Sequence, residues 1–314
     1  MFVSNAHYGH RTILNRHAGM PVGTPVPGLV EHGWNYDLGA TLEDILLPWP
    51  APFFIWSEPN LRACQAAGVG HRVIPLGAPY LYLPPLEETC SPEPKSLLVM
   101  PTHGWEKAKL AHDFEQYARD IEEIATQFSS ITVCLYWFEH QEPRYRRIFE
   151  SRGWPIVTAG QRDNNPAFLH DLRRILSRYE YVSANRVQTS TFYALYERRK
   201  VFIHGPAVGV EQRIDRSGAL YDAWQNVHYP QLVWKNFQDE TYPDLAAREL
   251  GSTFLQTPEQ LRELFLWLPE KKNELVKIVA AGREMSRERA RNARRESWKK
   301  ALSTVPVIRR YFLS

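Results

Sequence analysis

Short apolar runs without polar alternation recur along the first two thirds of the chain. Runs of this kind are typical of strands that are buried on both faces of a parallel sheet. Between them, apolar residues recur three or four positions apart, which is the spacing of a helix with one buried face. The predicted strands lie at residues 27–30, 53–56, 72–76, 97–100, 131–137, 155–157, 179–183 and 201–203, and the predicted helices at residues 59–67, 107–128, 144–152, 168–178 and 191–197. Strands that alternate with helices predict an α/β fold with parallel sheets.

The same pattern divides the chain into three parts. A stretch rich in proline and glutamate at residues 83–94 is typical of a linker between two blocks of strands and helices. After Pro243 the pattern is helical only. We therefore expect an N-terminal α/β domain over residues 1–85, a second α/β domain over residues 95–240 and a helical C-terminal segment over residues 241–314.

Composition narrows the class of protein. The apolar fraction of 44% allows a sizeable core, and the net charge of only +3 gives no reason to expect a nucleic acid as partner. Cys64, Cys90 and Cys134 are too far apart to match a metal-ligand spacing, so we expect reduced thiols. No basic region precedes an apolar stretch near residue 1, and no apolar run approaches the roughly 18 residues that cross a bilayer. These features predict a cytoplasmic protein.

The tripeptide His-Gly-Trp occurs twice, each time shortly after an apolar run. Ligands of open α/β sheets bind beyond the carboxyl ends of the strands, and an imidazole there can titrate near neutral pH. The two copies suggest two facing sites. We expect His32 to act as a general base, with the adjacent Glu31 as the second candidate, and His103 to stabilise a phosphate group. The alternative is that the histidines only hydrogen-bond within their own loops.

Hydroxyl groups and a lysine at two predicted helix starts indicate an anion site. Thr189, Ser190 and Thr191 stand between a strand and a helix, where free N–H groups and the helix dipole favour phosphate. Thr102 and Lys107 precede the long predicted helix in the same way. Ordinary helix capping is the alternative for the hydroxyls, and a solvated side chain is the alternative for the lysine. The polar loop at residues 161–166 and His204 at the end of the last strand are further candidates.

The order of the turn motifs carries a family resemblance. The motifs are Glu31-His32-Gly33, Trp56-Ser57, Gly77-Ala78-Pro79, Met100-Pro101-Thr102 and Gln188-Thr189-Ser190-Thr191. In order and spacing, residues 25–205 resemble the bacterial CDP-glycerol glycerophosphotransferases and related capsule-polysaccharide synthesis enzymes. The resemblance implies two Rossmann-like domains of the glycosyltransferase B type and a nucleotide-activated donor, with cytidine as the expected base. Bacterial sialic-acid and Kdo transferases of that fold also combine an acidic turn with a Ser/Thr-rich phosphate site.

Together these observations predict a metal-independent, inverting glycosyltransferase without a cofactor. It would transfer a sugar or polyol phosphate from the nucleotide-activated donor to a polysaccharide or lipid-linked acceptor. The sequence has no Asp-x-Asp run, which disfavours a metal-dependent type A enzyme. One alternative is a nucleotide-sugar epimerase, which would need Glu31, Glu58 or Glu106 in the cleft for proton abstraction. The other is a non-catalytic subunit of a polysaccharide assembly complex.

The segment from Arg283 to Lys300 is strongly basic. It contains eight Arg and Lys residues but three Glu residues, an excess of five positive charges. A helix of this charge can lie on an anionic membrane surface, where each basic residue contributes about 1 kcal/mol. It can also be a solvated helix with ion pairs between residues four positions apart. The sequence therefore predicts either a peripheral membrane contact or a solvated helix.

Overall fold

Two parallel sheets form the body of the protein in the computed structural model, which describes residues 3–35, 51–87, 91–103, 110–111, 113–210 and 217–303. The chain begins with a 3-10 segment (Val3–Gly9) and helix α1 (His10–His17). The first sheet follows, with strands β1 (Leu29–Val30), β2 (Phe53–Ile55) and β3 (Val73–Pro75) side by side in that order. Helix α2 (Glu58–Ala66) connects β2 to β3 and begins where the Ser57 hydroxyl accepts the Asn60 N–H at 3.4 Å.

The second sheet has five parallel strands in the order of a Rossmann-like fold. Its strands are β4 (Glu93–Val99), β6 (Ser130–Cys134), β7 (Ile156–Val157), β8 (Tyr179–Ala184) and β9 (Lys200–Ile203). They lie in the order β7-β6-β4-β8-β9, so the chain order reverses at β4. A crevice opens beyond the carboxyl ends of the strands at such a reversal. The short strands β5 (Leu110–Ala111) and β10 (Gly209–Val210) form a separate antiparallel pair.

Helices cover the second sheet and make up the C-terminal part. They are α3 (Phe114–Ile124), α4 (Trp137–Gln141), α5 (Pro143–Glu150), α6 (Phe168–Leu176), α7 (Thr189–Tyr196), α8 (Ser217–His228), α9 (Pro243–Leu250), α10 (Pro258–Leu264) and α11 (Lys272–Ser303). The parallel α/β fold expected from the sequence is therefore confirmed. From Pro243 to Ser303 the described elements are helices and 3-10 turns. The 3-10 segment and α1 at the N-terminus, and α8, were not expected.

Two boundaries differ from the sequence-based expectation. The long helix predicted at residues 107–128 begins only at Phe114, because the Asp113 carboxylate caps it by accepting the Gln116 N–H at 2.8 Å. Residues 110–111, inside the predicted helix, instead pair with β10. Strand β4 begins at Glu93, inside the predicted linker, because the Glu93 N–H donates to the Arg178 carbonyl beside the start of β8.

The two sheets share one hydrophobic core. A single cluster of buried side chains includes Phe54 and Trp56 from the first sheet, Leu98 from β4 and Phe192 from α7. Helix α9 contacts both α7 and α2, so the C-terminal part of the chain joins the two sheet units. A smaller cluster fills the opposite face of the second sheet. The cleft described below therefore lies between units that are packed against each other.

Helix α11 leaves the core after its first turns. Leu275 and Val279 are buried in the main cluster, whereas Arg283, Arg287 and Arg291 are exposed. Within the described residues, neither α11 nor any other helix combines the length and apolar character needed to cross a bilayer.

Candidate functional site

Both copies of the His-Gly-Trp motif lead into the same cleft. The cleft has a volume of about 380 Å³ and is lined by His32 after β1 and by His103 after β4. The carboxyl ends of β6 and β7 contribute Tyr136 and Thr158, and the start of α7 contributes Ser190. Parallel strands bring their carboxyl ends to one edge of a sheet, and here the edges of two sheets meet. The two histidines of the tripeptides therefore line one shared cleft, where two facing sites were expected.

His32 is open to solvent on one wall of the cleft. Its ring lies 5.2 Å from the ring of His7 and 5.0 Å from that of Tyr8, measured between centroids. The pKa of His32 lies below the usual value for a histidine, because the surrounding protein displaces water and because His7 and Arg162 place positive charge nearby. The imidazole is therefore neutral at pH 7.

Glu31 lies behind this wall and is not among the described residues that line the cleft. Its carboxylate is buried, with 1% of the residue exposed. It accepts the Trp56 N–H at 2.7 Å, the Asn60 amide at 2.6 Å and the Asn35 amide at 3.4 Å. Burial raises the pKa of Glu31 to about 7, and these hydrogen bonds oppose the rise. The position fits a residue that holds β1, β2 and α2 together, and it separates Glu31 from any ligand in the cleft.

The turn after His32 is fixed to the second sheet unit. The Trp34 N–H donates to the Thr189 hydroxyl at 3.1 Å, and the Trp34 indole N–H donates to Glu249 of α9 at 2.9 Å. A Cβ atom at Gly33 would come within 3.0 Å of the same Thr189 hydroxyl, so the close approach favours glycine there. His32 therefore sits on a turn whose other residues bind the opposite side of the cleft.

The second copy of the motif is only partly described. His103 stacks on Tyr136, with ring centroids 4.2 Å apart and an angle of 25° between the planes. Thr102 is buried beneath the cleft, and its N–H donates to Asn185 at 2.9 Å, so this N–H is not available to an anion. Lys107 lies outside the described residues, as do Gly104 and Trp105. Of the donor-binding residues predicted here, the structure brings His103 to the cleft and leaves Thr102 behind it.

The start of α7 divides the three predicted hydroxyls between two tasks. Thr191 is buried, and its hydroxyl accepts the Gln188 N–H at 3.0 Å, so it caps the helix. Thr189 lines the cleft but its hydroxyl already accepts the Trp34 N–H. Ser190 lines the cleft, and its hydroxyl makes no hydrogen bond within the described part of the chain. Ser190 is therefore the hydroxyl that a ligand can reach without displacing a protein partner.

The charges around the cleft favour an anionic ligand. None of the described residues that line it carries a carboxylate. Arg162 places positive charge near His32, although Asp163 forms an ion pair with Arg162 and also contacts His7. The N-terminal end of α7 adds a partial positive charge. Cys134 also lines the cleft, but burial raises the pKa of its thiol to about 12, which leaves no thiolate nucleophile at neutral pH.

Two further candidates lie elsewhere or make other contacts. A ring nitrogen of His204 lies 2.8 Å from the Asp120 carbonyl oxygen, and His204 is absent from the described lining of the cleft. The loop at residues 161–166 meets the N-terminal segment, because the Arg162 carbonyl accepts the Tyr8 N–H at 2.8 Å. At least one backbone group of this candidate loop is thus bound by protein.

Several cleft residues were not among the predicted ones. Tyr136 and Thr158 stand at the carboxyl ends of predicted strands, so the rule that selected His32 and His103 would also have selected them. Tyr8 follows no strand. The only sequence signal near it is the cluster His7-Tyr8-Gly9-His10, in which a glycine interrupts three residues with polar rings.

No model of a known protein family matches this chain, and no curated protein matches it either. The parallel α/β fold and the chemistry of the cleft are therefore the observations that bear on the function.

Proposed function

We propose that the protein is a glycosyltransferase-like enzyme that transfers a sugar or polyol phosphate from a nucleotide-activated donor to a polysaccharide or lipid-linked acceptor. One observation carries the proposal. A single cleft at the carboxyl ends of two parallel sheets holds His32 on one wall, and His103 with Ser190 at the start of α7 on the other. The proposal includes the two-domain glycosyltransferase B architecture and the cytidine-linked donor, both of which the motif order implies.

In the proposed reaction, the residues on the two walls of the cleft have different roles. His32 takes the proton of the acceptor hydroxyl as its oxygen attacks the anomeric carbon, or the phosphorus if a polyol phosphate is transferred. The bond to the nucleotide phosphate breaks in the same direct displacement, which inverts the attacked centre. The leaving phosphate gains negative charge, which Ser190, His103 and the N-terminal end of α7 stabilise. These groups supply the stabilisation from the protein itself, in keeping with the metal-independent reaction expected from the sequence.

The cleft supports the epimerase alternative less well. Proton abstraction from a sugar would need a carboxylate beside the ligand, and no described lining residue supplies one. Glu31 is enclosed behind the wall, and Glu58 pairs with Arg62 at 2.9 Å on the surface of α2. Glu106 lies outside the described residues. A non-catalytic subunit would share the cleft but would bind a donor without turning it over.

We place the enzyme in the cytoplasm, with the basic part of α11 at the anionic inner surface of the membrane. Arg283, Arg287 and Arg291 recur at intervals of four residues and are exposed. Such a position would bring the cleft to a lipid-linked acceptor.

Nucleotide binding is the first test of this function. Thermal-shift scans with CMP, CDP, UDP, GDP and ADP would be followed by calorimetry of any nucleotide that stabilises the fold. A ligand at 100 times its dissociation constant stabilises the folded state by about 2.7 kcal/mol. We expect the cytidine nucleotides to give the largest shift. If none of the five nucleotides binds, a nucleotide-activated donor is excluded.

A further inference from the structure

The first residues of the chain are tied to the edge of the first sheet. Asn5 is buried, and its amide donates to the Gly28 carbonyl at 2.7 Å while its carbonyl accepts the Val30 N–H at 2.9 Å. The side chain thus bonds two backbone groups on the outer edge of β1, where a neighbouring strand would otherwise pair. We call residues 5–9 the N-terminal strap.

The other end of the strap is tied to the second sheet unit. Next to the hydrogen bond from the Tyr8 N–H to the Arg162 carbonyl, His7 forms an ion pair with Asp163. Gly9 packs so closely that a Cβ atom there would lie 2.2 Å from the Pro166 carbonyl oxygen. Three consecutive residues of the strap are therefore held on the loop that follows β7, and the strap links the two walls of the cleft.

Tyr8 adopts a backbone conformation that its side chain disfavours. Its φ angle is +55° and its ψ angle 11°, in the left-handed region. Residues other than glycine keep such a conformation only where their surroundings impose it. The conformation carries the Tyr8 ring into the cleft, where its centroid lies 5.0 Å from His32 and 5.0 Å from Phe168.

We propose that Tyr8 is a positioning residue, which the strap holds against His32 so that the imidazole faces an acceptor hydroxyl. The aromatic contacts support this role, because the His7 and Tyr8 rings, which contact the His32 ring in the described part of the chain, both come from the strap. The contact between the Tyr8 and His32 rings does not depend on any reaction. Its role in positioning His32 for catalysis rests on the function proposed above. The placement of the Tyr8 ring against His32 then explains why the backbone keeps its strained conformation.

Nuclear magnetic resonance of protein labelled at its histidines tests the contact without any substrate. The ring signals of His32 would be assigned by their loss in His32→Asn, and then followed through a pH titration. In Tyr8→Leu we expect them to move and broaden, and their titration midpoint to rise toward that of a free histidine. Tyr8→Phe keeps the ring and should match the wild type. Tyr8→Asn is the second variant, because asparagine tolerates the left-handed conformation and so keeps the fold. Unchanged His32 signals in Tyr8→Leu and Tyr8→Asn would overturn the proposal.

Turnover of CDP-glycerol tests the catalytic meaning. For Tyr8→Leu we expect kcat for CMP release to fall at least about tenfold, since small displacements of a catalytic group cost this much. The KM for CDP-glycerol should stay within about twofold, because the Tyr8 ring contacts His32, whereas the proposed donor contact is made by Ser190. Tyr8→Phe, which keeps the ring, should keep the wild-type kcat. An unchanged kcat in Tyr8→Leu would overturn the positioning role. If the wild type releases no CMP while the His32 signals respond as expected, the contact stands and the proposed function fails.

Discussion

At the scale of single residues, Glu31 couples the stability of the fold to pH. Its pKa is raised from 4.5 to about 7, so the folded state binds the proton more tightly than the unfolded state does. The resulting stabilisation is complete below pH 4.5 and is lost as the pH rises through 7. The shift corresponds to a loss on the order of 3 kcal/mol over this range.

We therefore expect Glu31→Gln to remove this part of the pH dependence. The amide loses one acceptor for the Trp56 and Asn60 donors, which lowers stability by an amount that does not vary with pH. Urea unfolding between pH 4.5 and 8 would give the free energy of unfolding for both proteins. Glu58→Gln serves as the matched control, because Glu58 is half-exposed and pairs only with Arg62 on the surface. If Glu31→Gln lost stability with rising pH as steeply as the wild type, Glu31 would not be the group that titrates.

Residue chemistry was only partly predictable from the sequence. The position of His32 and His103 beyond strand ends follows from the local pattern, because parallel strands present their carboxyl ends together. The roles of Glu31 and Thr191 could not be predicted, because their hydrogen-bond partners decide them. Glu31 finds partners at Trp56 and Asn60, which are close to it only after the sheet has formed.

At the scale of elements, we expect two neighbouring residues at the start of α7 to have different roles. Thr191 should stabilise the fold, and Ser190 should bind the ligand. Thr191 caps the helix and is buried, whereas Ser190 faces the cleft with its hydroxyl available. We expect Thr191→Ala to lower the free energy of unfolding by about 1 kcal/mol and to leave nucleotide affinity nearly unchanged. We expect Ser190→Ala to leave the unfolding free energy unchanged and to weaken nucleotide binding by about five- to tenfold, the loss of one hydrogen bond.

Calorimetric titration and urea unfolding on both variants would measure the two effects. Thr126→Ala is a suitable control, because Thr126 is exposed in the 3-10 turn after α3. Equal nucleotide affinity in wild type and Ser190→Ala would remove Ser190 from the site.

Some helices and strands can be predicted from the local pattern of apolar residues, and others cannot. Helices α2, α5 and α6 and most strands follow from apolar spacing, and their observed bounds lie within a few residues of the predicted ones. Strand β5 does not follow from it, because Leu110 and Ala111 continue the apolar spacing of the helix and their partner β10 is about a hundred residues away. Long-range pairing of this kind leaves no mark in a short window of sequence.

At the scale of the whole molecule, α11 is the element that we expect to bind an anionic membrane surface. We expect co-sedimentation with phosphatidylglycerol vesicles at low salt and release as the salt concentration rises, because charges at a surface are screened within about 8 Å at physiological ionic strength. The exposed arginines Arg283, Arg287 and Arg291 should carry this binding. The triple replacement of these residues by Gln should reduce the bound fraction, while phosphatidylcholine vesicles should bind neither protein. If the wild type stays in solution with anionic vesicles at low salt, α11 is a solvated helix.

The whole-molecule arrangement was predicted only in outline. Alternating strands and helices indicate parallel sheets, but the pattern does not show that Trp34 reaches Glu249 or that α9 contacts both sheet units. Trp34 and Glu249 are 215 positions apart in the chain. Contacts of this kind bring His32 and His103 to one cleft, and a short sequence window around either histidine does not contain them.

We propose that His32 and His103 perform different tasks in one cleft. Turnover and nucleotide binding, measured on the alanine variant of each histidine, distinguish these tasks. The substrate is CDP-glycerol or the activated donor of whichever nucleotide binds, and nucleotide affinity is measured by calorimetry. His71→Ala, at an exposed histidine, is the control. We predict that His32→Ala cuts turnover about 10²–10⁴-fold with nearly unchanged nucleotide affinity, as loss of a general base requires. His103→Ala should lower both turnover and nucleotide affinity. Equal and modest losses in the two variants, with normal nucleotide affinity, would contradict the account.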